Sequence, residues 1–319
     1  MYLNTKIHHH SLYKGYPNTE KLINHDLSKR GYVLYSNDKY FDIVSMAAKS
    51  IRTFSELPIY VYMLDSDLKV DVEGVTTIKW VCDLKTDSNM YENSESNFYI
   101  NRNNLNIYKL LIQRPLIMKD VLSKYLDIAV YVDSDSVATP NVDNIFNLYT
   151  NQRYPYFVQG IYDYLFANGR GGAETKEDLS TTLEHPACEL YGVNQKIRER
   201  YRQTGYFIAS KYCIDFMDEW YWMCVNPIIL RNNEFYAPYN EETILNVLLW
   251  KKGILDGLPY IYVNSSLDNI DLIYDKINGN EEEISKWIRV PSSKENLLFF
   301  HGEKNVNIME KMIEKLKVK

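Results

Sequence analysis

Cysteine is scarce in this chain of 319 residues: Cys82, Cys188, Cys213 and Cys224 lie far apart, with no C-x-x-C pair. That spacing excludes zinc-ribbon and thioredoxin-like centres and fits a reducing compartment. Positive charge is not in excess either. The 36 Lys+Arg stand against 42 Asp+Glu, a net charge of -6, which argues against nucleic acid or an anionic membrane as the main partner. Long apolar runs are missing. The longest uncharged one, Trp220 to Leu230, contains Asn226 and Pro227 and is too short to span a bilayer. The opening stretch, MYLNTKIHHHSLYKGYP, holds no apolar segment of signal-peptide length, so the expectation is a soluble, cytoplasmic protein with no transmembrane segment. Its histidine triplet, His8 to His10, reads as a solvated tail. No period of 20–50 residues recurs, which excludes solenoids and propellers, and no Pro/Gly-rich linker divides the chain.

What the chain does have is a globular balance, 45% hydrophobic and 24% charged, and enough length to bury a core without a disulfide or metal staple. It also holds 28 tyrosines. A flat apolar ring with a hydroxyl suits sugar and base recognition, but an AT-rich genome, suggested by the abundant Asn, Lys and Ile, accounts for the count more simply.

From Gly31 onward, short apolar runs alternate with helical patterns. Residues 31–36 (GYVLYS) predict a buried strand, 40–54 a helix, 58–64 a second strand and 75–81 a third. Residues 83–104 predict a long polar loop, and 105–122 a helix kinked at Pro115. DIAVYVD (127–133) is apolar on both faces of its pleat, which predicts a central parallel strand covered by helices. Such alternation implies an α/β fold with a mostly parallel central sheet. Further on, 154–160 and 206–209 predict strands, 161–200 a polar insertion, and 213–224, 243–250 and 306–318 helices, with a last strand ending at His301. Glu241 and Glu242 fall at the start of the second of these helices, where its dipole favours acidic groups.

The chemistry concentrates at YVDSDSVATPNVDNIF (131–146). Ligands of open α/β sheets bind beyond the carboxyl ends of strands, and here that edge carries Asp133 and Asp135. Residues two apart on an extended chain point the same way, about 7 Å apart, so both carboxylates could address one hard cation such as Mn²⁺ or Mg²⁺. The identical tripeptide at Asp65-Ser66-Asp67 shows how little a bare D-x-D proves. It precedes a charged stretch, DLKVDVEG, whereas the second follows the most apolar strand. Context therefore favours Asp133 and Asp135.

The segment 131–146 resembles the metal-binding D-x-D region of GT-A glycosyltransferases, particularly the glycogenin-like and galactinol-synthase-like family 8. Other pieces are similar in the same order. GYVLYSNDKYFDIVSMAAKSIR resembles the first strand and base-holding turn, and QTGYFIAS (203–210) the N-[ST]-G strand. NEETILNVLLWKKG (240–253) resembles the D-Q-x-x-L-N helix with two glutamates in place of Asp and Gln, and FFHGEKN (299–305) the late H-x-x-G-x-K segment. Together they span 31–305. The resemblance implies a GT-A (Rossmann-like) catalytic domain over 31–319 after an N-terminal extension at 1–30. Residues 31–150 would form the nucleotide-binding half, and 151–319 the acceptor and sugar half with the C-terminal helix.

It further implies that Asp133, Asp135 and His301 hold Mn²⁺ (or Mg²⁺) against the phosphates of a nucleotide sugar. Asn37, Asp38 and Tyr40 would hold the base and ribose and Lys304 would approach the diphosphate, with Ser36, Ser134 and Gly302 also among the nucleotide- and sugar-binding residues. Thr204 and Gly205 would lie near the donor sugar, where a glycine lets the backbone approach. Glu241, Glu242 and Lys109 would be the catalytic groups. The implied reaction is sugar transfer from a nucleoside diphosphate, UDP in this reading, to a glycan or other hydroxyl-bearing acceptor with retention of configuration. Two alternatives stand beside it. A non-catalytic nucleotide-sugar or glycan binder would be expected to lack a metal ligand. A sugar nucleotidyltransferase would want a Gly-rich basic loop where this chain has SNDKYF.

Overall fold

GYVLYS forms the strand the sequence predicts, and the rest of the first half follows it. The structure, a computed structural model, describes residues 27–82, 109–159, 202–225, 241–254, 256–264, 270 and 291–318. Strand β1 (Arg30–Ser36) leads through a 3₁₀ turn, Asp38–Tyr40, into helix α1 (Phe41–Phe54). α1 returns the chain to β2 (Ile59–Leu64), which is followed by β3 (Val75–Trp80). Helix α2 (Gln113–Lys124) precedes β4 (Ile128–Val132). These strands and β6 (Tyr156–Gln159) and β7 (Arg202–Ser210) make a six-stranded sheet of order β3-β2-β1-β4-β7-β6. β3, β2, β1 and β4 are parallel, while β7 runs antiparallel to both its neighbours.

Each face of this sheet carries its own apolar layer, because side chains alternate along a strand. Tyr32 and Leu34 of β1 and Val130 and Val132 of β4 face α1 and the C-terminal helix α5 (Val306–Leu316). Val33, Tyr35, Ala129 and Tyr131 face α2, α3 (Ile214–Val225) and α4 (Glu241–Lys251). The helices earn their place by spacing. α1 buries Val44, Ala47, Ala48 and Ile51, and α5 buries Met309, Met312, Ile313 and Leu316, both at i, i+3, i+4 and i+7. The Asn305 side chain caps α5 by accepting from the Asn307 N–H at 3.1 Å.

Three expectations change. β4 is covered on both faces, as its apolarity implied, but only β1 beside it is parallel. Two-sided cover makes a strand uniformly apolar, whatever the direction of its neighbours. The kink expected at Pro115 is a break ahead of it: among the described residues the helical turn at 109–111 ends at Ile112, and Pro115 sits in the first turn of α2. Proline lacks the N–H that would bond the residue 111 carbonyl, so the chain restarts its helix there. A second, three-stranded sheet also escaped prediction. β5 (Ser136–Ala138) pairs antiparallel with β9 (Phe299–His301), which pairs parallel with β8 (Tyr262–Asn264). The expected segments 83–104 and 161–200, the extension before residue 27 and its histidine triplet lie outside the described residues. No described helix is long and apolar enough to cross a membrane.

Candidate functional site

β4 ends at Val132, so Asp133, Ser134 and Asp135 form a turn between the two sheets rather than an extension of the strand. The two carboxylates converge through that turn and not by the pleat. β5 begins at Ser136, and its partner in register is His301, the last residue of β9. The short second sheet therefore delivers the imidazole to the aspartates. One ligand atom from each of Asp133, Asp135 and His301 lies within 4.8 Å of the others, the one such group among the described residues. Gly302, at φ +90, turns the chain after the histidine and donates its N–H to the Asp135 carbonyl at 3.0 Å. An L side chain is strained at that φ, which favours glycine.

The charges here are arranged around Asp135. Burial, then the adjacent Asp133 charge, push its carboxyl above the ordinary value, against the pull of His301 and Lys304. His301 Nδ1 lies 3.4 Å from Asp135 Oδ1, and the exposed Lys304 ammonium 3.8 Å from Oδ2. Two half-buried carboxylates and an imidazole form a donor set suited to Mn²⁺ or Mg²⁺.

Asp133 is held from behind. Its Oδ1 accepts from the Tyr131 hydroxyl at 2.9 Å and from Arg114 Nη2 at 3.1 Å. Its Oδ2 lies where a side chain at Gly205 would be: a Cβ there would stand 2.9 Å away. Gly205 thus makes room for the carboxylate itself. Arg114, from α2, is buried and reaches four further groups. Its Nη1 donates to Thr204 Oγ1 at 2.6 Å and to Glu241 Oε1, its Nε donates to the Tyr131 hydroxyl at 3.2 Å, and it lies over the Tyr35 and Tyr131 rings. The resemblance made Lys109, and not Arg114, a catalytic group. Lys109 lies in the helical turn ahead of α2, its carbonyl accepting from the Gln113 amide, and its ammonium pairs with neither Asp133 nor Glu241.

Glu241, the first residue of α4, is 2% exposed. Burial pushes its carboxyl upward, against the Arg114 charge and the Thr204 hydrogen bond. Its Oε2 is buried without a partner among the described residues. Glu242 Oε2 accepts from the Thr204 N–H at 3.0 Å. Thr204, Glu241, Glu242 and Arg114 thus meet beside Asp133, on the α2–α4 face of the sheet.

The turn after β1 reaches the same edge, since Val33 pairs with Tyr131 in parallel register. Ser36 is buried and donates to the Asn37 carbonyl at 3.2 Å. Asn37 leaves its Oδ1 buried and without a partner among the described residues. Tyr40 is 37% exposed, with the Lys39 ammonium 5.1 Å from its ring centre, and Asp38 opens the 3₁₀ turn. The decoy tripeptide is accounted for differently. Asp65, at φ +49, accepts the Cys82 N–H at 3.0 Å, and Asp67 pairs with Lys79 at 2.7 Å on the surface. Those aspartates tie off β3.

No protein-family profile matches the chain, and no curated protein sequence matches it. Its fold does have counterparts. The bifunctional glycosyltransferase WbbM, in apo form, superposes with a TM-score of 0.53 at 11% identity, over 91% of this chain and 52% of its own. The protein therefore has the mostly parallel α/β fold of the GT-A glycosyltransferases. It spans about half the length of WbbM. The galactosyltransferase LgtC, in complex with donor and acceptor sugar analogs, gives a TM-score of 0.48 at 14% identity over 90% of this chain and 95% of its own. GlyE of Streptococcus pneumoniae TIGR4 gives 0.46 at 15% identity over 92% and 61%.

Proposed function

We propose that the protein is a metal-dependent glycosyltransferase that moves a sugar from a nucleoside diphosphate, UDP in this reading, to a hydroxyl of a glycan or similar acceptor, with retention. A cytoplasmic location and the division into a nucleotide half (31–150) and an acceptor half (151–319) belong to the same proposal. The observation that carries it is the convergence of Asp133, Asp135 and His301 at the carboxyl edge of β4, on a glycosyltransferase fold. Those three residues would hold Mn²⁺ or Mg²⁺, which supplies charge neutralisation as the diphosphate leaves.

The chain's own groups divide the remaining work. Lys304, near Asp135 and largely exposed, can reach a phosphate oxygen. Tyr40, 37% exposed, can stack its ring on a base, and Asn37 Oδ1 is an acceptor that an N–H or hydroxyl donor would satisfy. Glu241 Oε2 is a second such acceptor, suited to a sugar hydroxyl. Arg114 fixes Glu241 and Asp133 at once, so the sugar-facing and metal-facing carboxylates keep one relative position. Pre-oriented groups of this kind stabilise developing charge without reorganising.

The test is incubation with a panel of UDP-sugars and Mn²⁺, following the anomeric proton signals by NMR. Release or transfer of a sugar that first appears with the donor's own configuration supports the reading. Binding with no turnover on any donor would make the protein a non-catalytic binder instead.

A further inference from the structure

Thr204 and Gly205 belong to β7, yet the sheet alone does not hold them in place. The register of β6 on β7 passes from Phe157 opposite Phe207 to Val158 opposite Gln203, so Thr204, Gly205 and Tyr206 pair with no residue of β6. A bulge of this kind re-aims side chains, but its extra residues leave the ladder and need other anchors. The Gln159 N–H turns away as well, to the Leu258 carbonyl at 3.1 Å. On the β4 side the anchor is the Gly205 carbonyl, which accepts the Asp133 N–H at 2.9 Å. The other anchors come from α4.

Asn246 lies within α4 among Ile244, Leu245, Val247 and Leu248, all buried, and is itself 0% exposed. Those surroundings suit an apolar side chain, and a buried amide costs free energy unless it is bonded. Its Oδ1 accepts the Arg202 N–H at 2.7 Å, and its Nδ2 donates to the Arg202 and Glu242 carbonyls, each at 2.8 Å. The amide cannot be turned over, because its NH₂ would then face an N–H and its oxygen two carbonyls. It therefore engages both backbone groups of Arg202, as a neighbouring strand would.

One helical turn earlier, Glu242 Oε2 accepts the Thr204 N–H at 3.0 Å. Four helical residues rise about 6 Å and two strand residues about 6.7 Å. The pairs Asn246–Arg202 and Glu242–Thr204 thus run side by side as two rungs, and α4 supplies the ladder that β6 does not. The register of these rungs also places Glu241, whose Oε1 accepts from the Thr204 hydroxyl at 3.1 Å.

We propose that Asn246 is a positioning residue that sets the register of α4 on the β7 bulge and so holds Glu241 and Glu242 against Thr204 at the donor sugar. This rests on reading that edge as the sugar-binding part of a glycosyltransferase site. Asp133 and Asp135 follow β4 and His301 ends β9, so the metal and diphosphate part does not hang from α4.

The experiment compares wild type, Asn246→Asp and Asn246→Gln in two assays. One is Mn²⁺-dependent UDP binding by calorimetry; the other is Mn²⁺-dependent sugar release from a panel of UDP-glucose, UDP-galactose and UDP-N-acetylglucosamine. Asn246→Asp loses both donor bonds, and Asn246→Gln keeps the amide but carries it one carbon too far. Each should lower kcat about 100-fold, the scale of a misplacement of about 1 Å, with KM and UDP binding unchanged. Leu248→Ala, a cavity variant on the same helix, should lose stability to urea without that fall in kcat. Wild-type kcat in folded Asn246→Asp, an equal fall in Leu248→Ala, or UDP binding lost in step with kcat overturns the inference and leaves the transferase reading standing. If Asn246→Asp does not fold, Asn246→Gln decides by the same comparison. A wild-type chain that releases sugar from no donor in the panel overturns the transferase reading, and this inference with it.

Discussion

Gly205 and Asp133 touch across the β4–β7 pair: a Cβ on Gly205 would stand 2.9 Å from Asp133 Oδ2, and the Gly205 carbonyl accepts the Asp133 N–H at 2.9 Å. The glycine that sequence reasoning assigned to a donor sugar is thus first a space for the carboxylate. Gly205→Ala should push Asp133 out of line and lower Mn²⁺ affinity at least about tenfold, an effect typical of groups that orient a ligand. Overpacking of this kind costs about 1–3 kcal/mol of stability, so the variant should still fold. Unchanged Mn²⁺ binding, with the fold intact by circular dichroism, would show that Oδ2 is not a ligand.

Arg114 is the cation that two carboxylates depend on. Arg114→Met leaves Glu241 and Asp133 facing each other without it, and breaking a buried pair from one side costs about 3–5 kcal/mol. Urea unfolding should register that loss, and adding Glu241→Gln to it should recover part, since a buried charge is removed. A single variant as stable as wild type would mean that the network is not formed as described.

The pH dependence follows from Asp135. Burial and the Asp133 charge raise its folded value above the ordinary 3.8. A raised carboxyl adds stability that is complete below the unfolded value and lost as pH climbs through the folded one. A bound cation needs the ionised form, so it opposes this trend. Melting curves from about pH 4 to about pH 7 should show a Mn²⁺-induced rise that is largest near neutrality and fades on acidification. A rise independent of pH would contradict carboxylate ligation.

The other D-x-D, Asp65-Ser66-Asp67, provides the control. Asp67→Ala removes only a surface partner of Lys79, and such changes fall within about 0.5 kcal/mol. Mn²⁺ binding and melting temperature should both stay at wild-type values. Lost Mn²⁺ binding in this variant would move the metal site to the wrong strand.

Much of the frame was legible because buried strands and amphipathic helices announce themselves by period. The run from β1 through β4 and the stripes of α1 and α5 are of this kind. The strand ending at His301 was legible, but the three-residue β5 and β8 are too short to show an alternation, so the sheet that brings His301 to Asp135 was invisible, though both residues were named. Arg114 was missed for a different reason. It lies at i, i+3, i+4 and i+7 with Ile117, Met118 and Val121, all buried, and a single charge leaves the helical period of such a stripe intact. A charge on a buried stripe must have partners, and that was the signal available.

The central claim is tested most directly by calorimetric titration with UDP, and separately GDP, with and without Mn²⁺, on the wild-type chain and Asp135→Ala. The account predicts UDP binding that requires Mn²⁺ and disappears in the variant. A preference for GDP would change the base but keep the site. Metal-independent binding, or none of either nucleotide, would contradict the assignment of Asp133, Asp135 and His301 as the centre of a nucleotide-sugar site.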